Sequence, residues 1–598
     1  MDGIGTSNQR LIEMVNIRRK LYLEKPEIFF PWRRSCTVNT LLVADGLDFG
    51  MGDFGLATFV DVLKNDGRSY VKFNLTLAHL DLNASNAAVQ AGAPGIARSI
   101  KGFVFDDPNH FTSTMYDEVW MFGIKDNFHT TPVGATIFAN RRSNPARYPA
   151  DRLGDGELDA LTAHMNRGGG IFATGDHGTL GKALCGSVDR VRNMRYWEDF
   201  PNSNNATNEV SMTGPRRNDT NQIGYDPGSQ FSDQSDDIPQ RLDLKLYSTP
   251  VGIFREARYP HPVMCSRLGR IDVFPDHPHE GECRDPSSLT GTCRDGTPEY
   301  PTPGLASPEI VATGRVPAGN RASIDNGASL KDATQAHLFG VVSTYDGHRV
   351  SIGRVVCDST WHHFVNVNLI GVVEGGIFDD FVPTGNPGTP GTHTSKHIGF
   401  LYSPAGRAAL DKIKEYYVNV GVWIAPADKI SCMNSRLWWD LIFADRIVEA
   451  TLTEFTKPWT EISLHQLYLI GIHARDVIGR QAGACQSLAW VLPEIDLIWV
   501  ELRPWIDPWG PLDPKRVKDP VLPWFDPQPL VDIAIGGAVA ALREAFPALP
   551  NTDTLDGQST EIVRKAAATT FGRALKAMSN DMKSIDQLVA SGRKRIGG

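Results

Sequence analysis

Four short clusters in this 598-residue chain bring together residue types that move protons or hold metal ions. Asp45 stands with Asp48 and Asp53 in a glycine-rich turn, and Asp176 and His177 end the run Gly168-Gly-Gly-Ile-Phe-Ala-Thr-Gly-Asp-His177. Asp276-His-Pro-His-Glu-Gly-Glu282 sets two histidines among three carboxylates, and Asp358-Ser-Thr-Trp-His-His363 completes the set. Each cluster follows an apolar run, which predicts that all four reach the same edge of one sheet. Neutral imidazole and carboxylate there suit zinc, manganese or iron, and an open position on such a metal activates water. The same groups equally suit metal-free acid/base work, with a histidine titrating near neutrality and oriented by an aspartate. Spacing does not separate the two chemistries. The chain has no His-Glu-x-x-His helix, and a His-Pro-His segment does not put both rings on one helical face.

In the metal reading His177, His277, His279 and His362 are ligands, with Asp45 in support. In the acid/base reading Asp176, His177, Glu280 and His362 carry the proton transfers. Plainer roles compete at each place: Asp176 as cap of a following helix, the Asp45 group as turn chemistry, and one of His362 and His363 turned into the core against Trp361. Cys185, in Ala-Leu-Cys-Gly, lies past the strand end and reads as a small buried apolar residue, which disfavours a cysteine nucleophile.

These clusters need strand ends to hold them. Thr37-Val-Asn-Thr-Leu-Leu-Val-Ala-Asp45 reads as a first buried strand, Leu56 to Leu63 as a short amphipathic helix, and Tyr70 to Leu80 and Glu118-Val-Trp-Met-Phe-Gly-Ile124 as further strands. Asp155 to Met165 places Leu158, Leu161 and Met165 on one helical face, with Asp155 as N-cap and Gly168 as stop, and leads into the strand Gly170 to Thr174. Glu309 to Val316 is a later strand, and His337 to Tyr345 with Arg349 to Cys357 reads as a hairpin on an Asp346-Gly347 turn. Alternating strands and helices predict an α/β fold with a doubly wound, mostly parallel sheet. The expected division is a helical lead-in over 1–36, the α/β domain over 37–371 with inserts near 196–243 and 280–308, a linker over 372–397, and a mainly helical C-terminal domain over 398–598. The 196–243 insert is polar and suits a lid.

Composition narrows the function classes. Hydrophobic content of 41% and charged content of 22% are those of a globular protein, and the net charge of −9 comes without a long Lys/Arg run, so nucleic acid is not an expected partner. No stretch approaches an uninterrupted membrane span and the N-terminus lacks a signal-peptide pattern, so a cytoplasmic protein without membrane contact is expected. The eight cysteines form no CxxC pair, which argues against a disulfide framework and a thiolate zinc site; Cys283 and Cys293, in a Pro/Gly/Ser-rich loop, read as two free thiols, with a local bridge or a metal clip as the alternatives.

The order of segments resembles the class I glutamine amidotransferase-like superfamily, in its ThuA-like (trehalose-utilisation) branch. Three places carry the resemblance: Glu157-Leu-Asp-Ala-Leu through Asp176-His177; His261-Pro-Val or His277-Pro-His as the downstream His-Pro segment; and Gly347-His-Arg-Val-Ser-Ile-Gly-Arg-Val-Val-Cys-Asp-Ser-Thr-Trp-His362 as a closing hairpin with a terminal histidine. It spans roughly 37–370 and implies a flavodoxin-like sheet and a carbohydrate-linked role. The elbow reads Gly175-Asp176-His177 where amidotransferases carry a cysteine, so glutamine hydrolysis is not expected. Together these readings point to a hydrolase for a small polar substrate such as a sugar derivative or an amide, using a His/carboxylate site with or without a divalent metal. The rival is a catalytically inactive module whose helical C-terminal domain makes the interface, also in a homo-oligomer, with Trp438-Trp439, Trp499 and Trp505 to Trp509 as partner anchors.

Overall fold

The computed structural model describes residues 35–129, 141, 143–176, 178–197, 239–251, 255–275, 281–286, 288–316, 324–325, 329–330, 337–371, 399–401, 403–444, 452, 457–482, 509, 528–547 and 556–596. The expected lead-in (but for 35–36), most of the 196–243 insert and the whole 372–397 linker lie outside the described residues.

Among the described residues nine strands form one mixed, mostly parallel sheet. In chain order they are β1 (Cys36–Ala44), β2 (Val71–His79), β3 (Ile96–Lys101), β4 (Glu118–Phe122), β5 (Gly170–Thr174), β6 (Asp243–Leu244), β7 (Glu309–Val316), β8 (His337–Tyr345) and β9 (Val355–Asp358), arranged 3-2-1-4-5-9-8-7-6. The strands from β3 across to β9 pair in parallel, and β8, β7 and β6 add antiparallel ladders on one side. Every residue of β4 and β5 is buried, as strands covered on both faces require, and this is why they read as continuous apolar runs. The chain moves outward from β1 to β2 and β3, then crosses back to β4, β5 and β9. The reversal between β1 and β4 is a topological switch point, where a crevice opens at the carboxyl ends of the strands.

Both faces are covered. Val38, Leu42 and Ala44 join one apolar cluster, which also holds Phe59 of helix α1 (Ala57–Lys64), while Leu41 and Val43 join the opposite one with Leu158, Leu161 and Met165 of α2 (Asp155–Asn166). The N-cap of α2 is Gly154 rather than Asp155, because buried Glu157 reaches back to the Gly154 N–H at 2.9 Å and closes the first turn itself.

Beyond the expected linker, α3 (Pro404–Ile424) lies on the sheet. Ser403 caps it by accepting from Gly406 N–H, Pro404 opens its first turn, and Tyr416, Tyr417 and Val420 enter the same cluster as Phe59. A Cβ at Gly170 would come within 2.1 Å of the Ile424 carbonyl oxygen, so β5 must begin with glycine for the end of α3 to rest there. After α3, the helices α4 (Ala427–Ala444), α5 (Leu464–Ala482), α6 (Gln528–Ala545) and α7 (Asp556–Ile596) form a helical C-terminal region in which α6 packs between α5 and α7. No helix among the described residues is long and apolar enough to cross a membrane.

Three expectations are corrected. The β8–β9 hairpin does not turn on two residues: a 3₁₀ turn over Gly347–Val350 and Ser351, with φ of 62°, lengthen the connection. Cys36 of β1 and Cys432 of α4 form a disulfide across a sequence separation of 396, and Cys265 is also disulfide-bonded, although Cys283 and Cys293 are free as expected. Trp438 and Trp439 are buried, with Trp439 edge-on to Phe546 at 4.9 Å, so they are core and not anchors for a partner; Trp499 and Trp505 lie outside the described residues.

Candidate functional site

Strand geometry sends three of the four clusters to one edge. Asp45 directly follows β1, Asp176 follows β5 by one residue, and Asp358 ends β9, all at the carboxyl ends of parallel strands. The turn after β5 is tight: Cβ atoms at Gly175 and Gly181 would each fall within 2.9 Å of neighbouring backbone or ring atoms, and Gly181 has φ of 91°. Glycine at these positions lets the loop fold back beside Gly123 and hold Asp176 at the strand end.

Two aspartate–histidine pairs occupy the ends of β5 and β9. Asp176 and His362 face one another with Oδ2 and Nε2 3.5 Å apart. The Thr360 hydroxyl donates to Asp176 Oδ1 at 2.9 Å, and His362 Nδ1 lies 3.0 Å from Asn368 Oδ1. Trp361 stacks on the His362 ring at a centroid distance of 4.1 Å, and Phe54 meets the ring edge-on. In the second pair, His363 Nδ1 lies 2.7 Å from Asp358 Oδ1, and the Tyr416 hydroxyl donates to Asp358 Oδ2 at 2.8 Å. Tyr417 donates to the His363 carbonyl at 2.6 Å, so α3 supports both members. Both histidines are therefore buried, where the sequence led us to expect only one. His362 is the one against Trp361, and His363 packs on Phe274 at 4.5 Å.

His363 also lines a small cleft bordered by Gln240, Leu242, Phe274, Pro275 and Gly314. Gly281 lies hard against the Ser359 carbonyl, which brings the end of the 276–282 segment to the same edge. His177, His277, His279 and Glu280 themselves lie outside the described residues.

Asp45 has a different setting. Its carboxylate accepts from the backbone N–H groups of Ile124 at 2.6 Å and Lys125 at 3.2 Å, stapling the β1 and β4 ends across the switch point. Burial pushes its pKa up to about 7 against the pull of those two N–H groups. Asp48 accepts from Gly50 N–H, as turn chemistry requires. Cys185 is a buried thiol raised well above its ordinary pKa by desolvation, in keeping with a small apolar residue. His261 sits beside Thr344, which the β8–β9 register places toward the opposite sheet edge, and burial lowers its pKa to about 3. It does not join Asp176.

Sequence reading missed the residues that hold the pairs. Arg195, fully buried, donates from its guanidinium to the carbonyls of Asp176, Tyr196 and Ser359, tying the β5 and β9 loops together. Asn366 accepts from Thr58 and donates to the Gly50 and Gly52 carbonyls, fixing the first loop to the same edge. Among the described residues no three His, Cys, Asp or Glu side chains form a metal-binding group. Of the metal reading, His362 lies against Asn368 and Asp176, and Asp45 accepts from the Ile124 and Lys125 N–H groups, while His177, His277 and His279 lie outside the described residues.

No family model, no curated protein and no solved structure matches this chain.

Proposed function

We propose that the chain is a hydrolase that adds water across a C–N or C–O bond of a small polar substrate, an amide or a sugar derivative. The observation that carries this reading is the pair of aspartate–histidine couples at the ends of the adjacent parallel strands β5 and β9. His363, oriented through Nδ1 by Asp358, is the base that takes a proton from water. His362, facing Asp176, is the acid that returns a proton to the leaving nitrogen or oxygen. Water supplies both the hydroxyl added to the substrate and the proton that balances the transfer. Where a divalent metal takes part, it would lower the pKa of a bound water.

The amidotransferase-like resemblance supports a sugar- or amide-directed site, with the elbow acid and histidine in place of a cysteine. The order β2-β1-β4-β5 supports a flavodoxin-like sheet, with β3 as an added edge strand.

The test assays the purified chain on aryl-glycoside, amide and ester panels, with and without added zinc, manganese or iron, alongside the bound-metal content. His362→Gln and His363→Gln are each expected to lower kcat/KM by about 10²–10⁴-fold with the fold retained. If neither substitution changes turnover, or no class is turned over under any metal condition, the proposal fails.

A further inference from the structure

The cleft beside His363 has a floor and a rim of different character. Leu242, Phe274, Pro275 and Val341 line it and are buried, and His363 itself is 2% exposed. Asp358 occupies the Nδ1 side of the His363 ring, and Nε2 has no hydrogen-bond partner among the described residues, which leaves Nε2 for a ligand in the cleft. Two further lining residues, Arg241 and Arg315, are exposed and cationic, and no carboxylate among the described residues lines the cleft. An apolar floor under a cationic rim suits an anion whose remaining atoms are apolar.

Counting charge narrows the anion. Arg315 is answered by Asp243 at 3.2 Å. Two acids of the flanking segments are also taken up, Asp272 by Lys412 at 2.8 Å and Glu309 by Lys245 at 2.5 Å. Arg241 makes no hydrogen bond or ion pair among the described residues, and its backbone is held by an antiparallel ladder opposite Val273. The cleft thus keeps one positive charge, on a planar fork of donors that matches a carboxylate. We propose that the cleft is a carboxylate subsite: Arg241 takes the carboxylate, and the apolar floor carries the atoms between it and the bond presented to His363 Nε2. The inference rests on the hydrolase reading for that bond, and it narrows the substrate to an amide or sugar derivative that bears a carboxylate.

The test is saturation-transfer NMR on the purified chain with propionate, and with propionamide as its neutral match. Propionate is expected to receive transfer and propionamide none. Arg241→Gln weakens propionate binding by about tenfold and Arg241→Glu abolishes it, while Asp243→Asn, which frees Arg315, tightens it about threefold. Arg241 and Asp243 are exposed, so these substitutions leave the core untouched. Inorganic phosphate is expected to displace propionate no better than unlabelled propionate does, and phosphate binding about tenfold tighter would overturn the carboxylate assignment. Turnover is read separately. In the responsive substrate class a carboxylated member should have a KM about tenfold below its neutral match, and Arg241→Gln should close that gap by raising the KM of the carboxylated member. Propionate binding without turnover of any substrate supports the subsite and counts against the hydrolase reading alone. No transfer to propionate at roughly 20 mM, or transfer that survives Arg241→Glu, overturns the subsite whether or not a substrate is turned over.

Discussion

His362 Nε2 faces Asp176 Oδ2 across the ends of β5 and β9, 3.5 Å apart, with both groups buried. Asn368 places its Oδ1 3.0 Å from the other ring nitrogen. In the proposed hydrolysis His362 is the acid and His363 the base.

Asp176→Asn separates chemistry from packing. The amide keeps the size of the carboxylate and still accepts from Thr360, so stability is expected to fall by only about 1–2 kcal/mol. It cannot hold the second proton on His362, so turnover on the responsive substrate class is expected to fall about 10²-fold. Thermal melts and kcat/KM read the two effects apart, and a stability loss with unchanged turnover would reduce the pair to a packing element.

Glu118 gives the fold a pH dependence of defined sign. Its Oε1 accepts from the Thr40 hydroxyl at 2.7 Å and Trp120 Nε1 at 3.1 Å, Oε2 has no partner among the described residues, and burial pushes the pKa up to about 8. The folded chain therefore keeps a proton that the unfolded chain releases near pH 4.5. Stability falls as pH rises from about 4.5 to 8, by on the order of 4 kcal/mol from this group, and levels off above. Glu118→Gln should flatten that slope in denaturant titrations between pH 5 and 8. An unchanged slope would mean that Glu118 ionises in the folded state.

The Cys36–Cys432 bridge should be present and stabilising. It joins the first strand to α4 across 396 residues, and closing so long a loop removes much freedom from the unfolded chain. Cys36→Ser with Cys432→Ser is expected to cost about 2–5 kcal/mol. Alkylation of the unreduced, denatured chain should leave both cysteines unlabelled. Such a bridge suits an oxidising compartment and runs against the cytoplasmic expectation. Full labelling of Cys36 and Cys432 in chain taken from its native compartment would remove the argument.

What could be read without coordinates follows a physical division. β5 and the inner half of β1 were legible because strand segments buried on both faces read as apolar runs, and the common edge followed from Asp45, Asp176 and Asp358 at the ends of β1, β5 and β9. The groups that tune those acids were not legible. Thr360 reaches Asp176 from 184 residues away and Tyr416 reaches Asp358 from 58, and neither is marked by periodicity. The C-terminal helices had a visible period, but the docking of α3 on the sheet depends on close approach at Gly170, which no pattern signals.

That approach is itself testable. Gly170→Ala places a methyl 2.1 Å from the Ile424 carbonyl oxygen, so the end of α3 or the start of β5 must shift. A cost of about 1–3 kcal/mol is expected, in the range of overpacked cores. Hydrogen exchange should speed up at Ile424 and along β5 together. A melt equal to that of the parent would show that α3 does not rest on the strand.

Arg195 offers the sharpest test of how the site is positioned. Its guanidinium spans the Asp176, Tyr196 and Ser359 carbonyls and lies 4.6 Å over the Trp197 ring, and burial holds its pKa below the usual arginine value. These acceptors are uncharged, so the planar fork of donors matters more than the charge. Arg195→Lys keeps the charge but reaches at most part of this set, and leaves one or two buried carbonyls without a donor. Each costs about 1–3 kcal/mol, and the loops carrying Asp176 and Thr360 lose their common tie. The expected result is a lower melting temperature, with kcat falling more than KM rises, since substrate contacts are untouched while the acid is displaced. Arg195→Met, which keeps the stacking on Trp197 but none of the donors, should be worse than Arg195→Lys in both respects. If both variants retain parental kcat, the tie between the β5 and β9 ends does not position the Asp176–His362 pair.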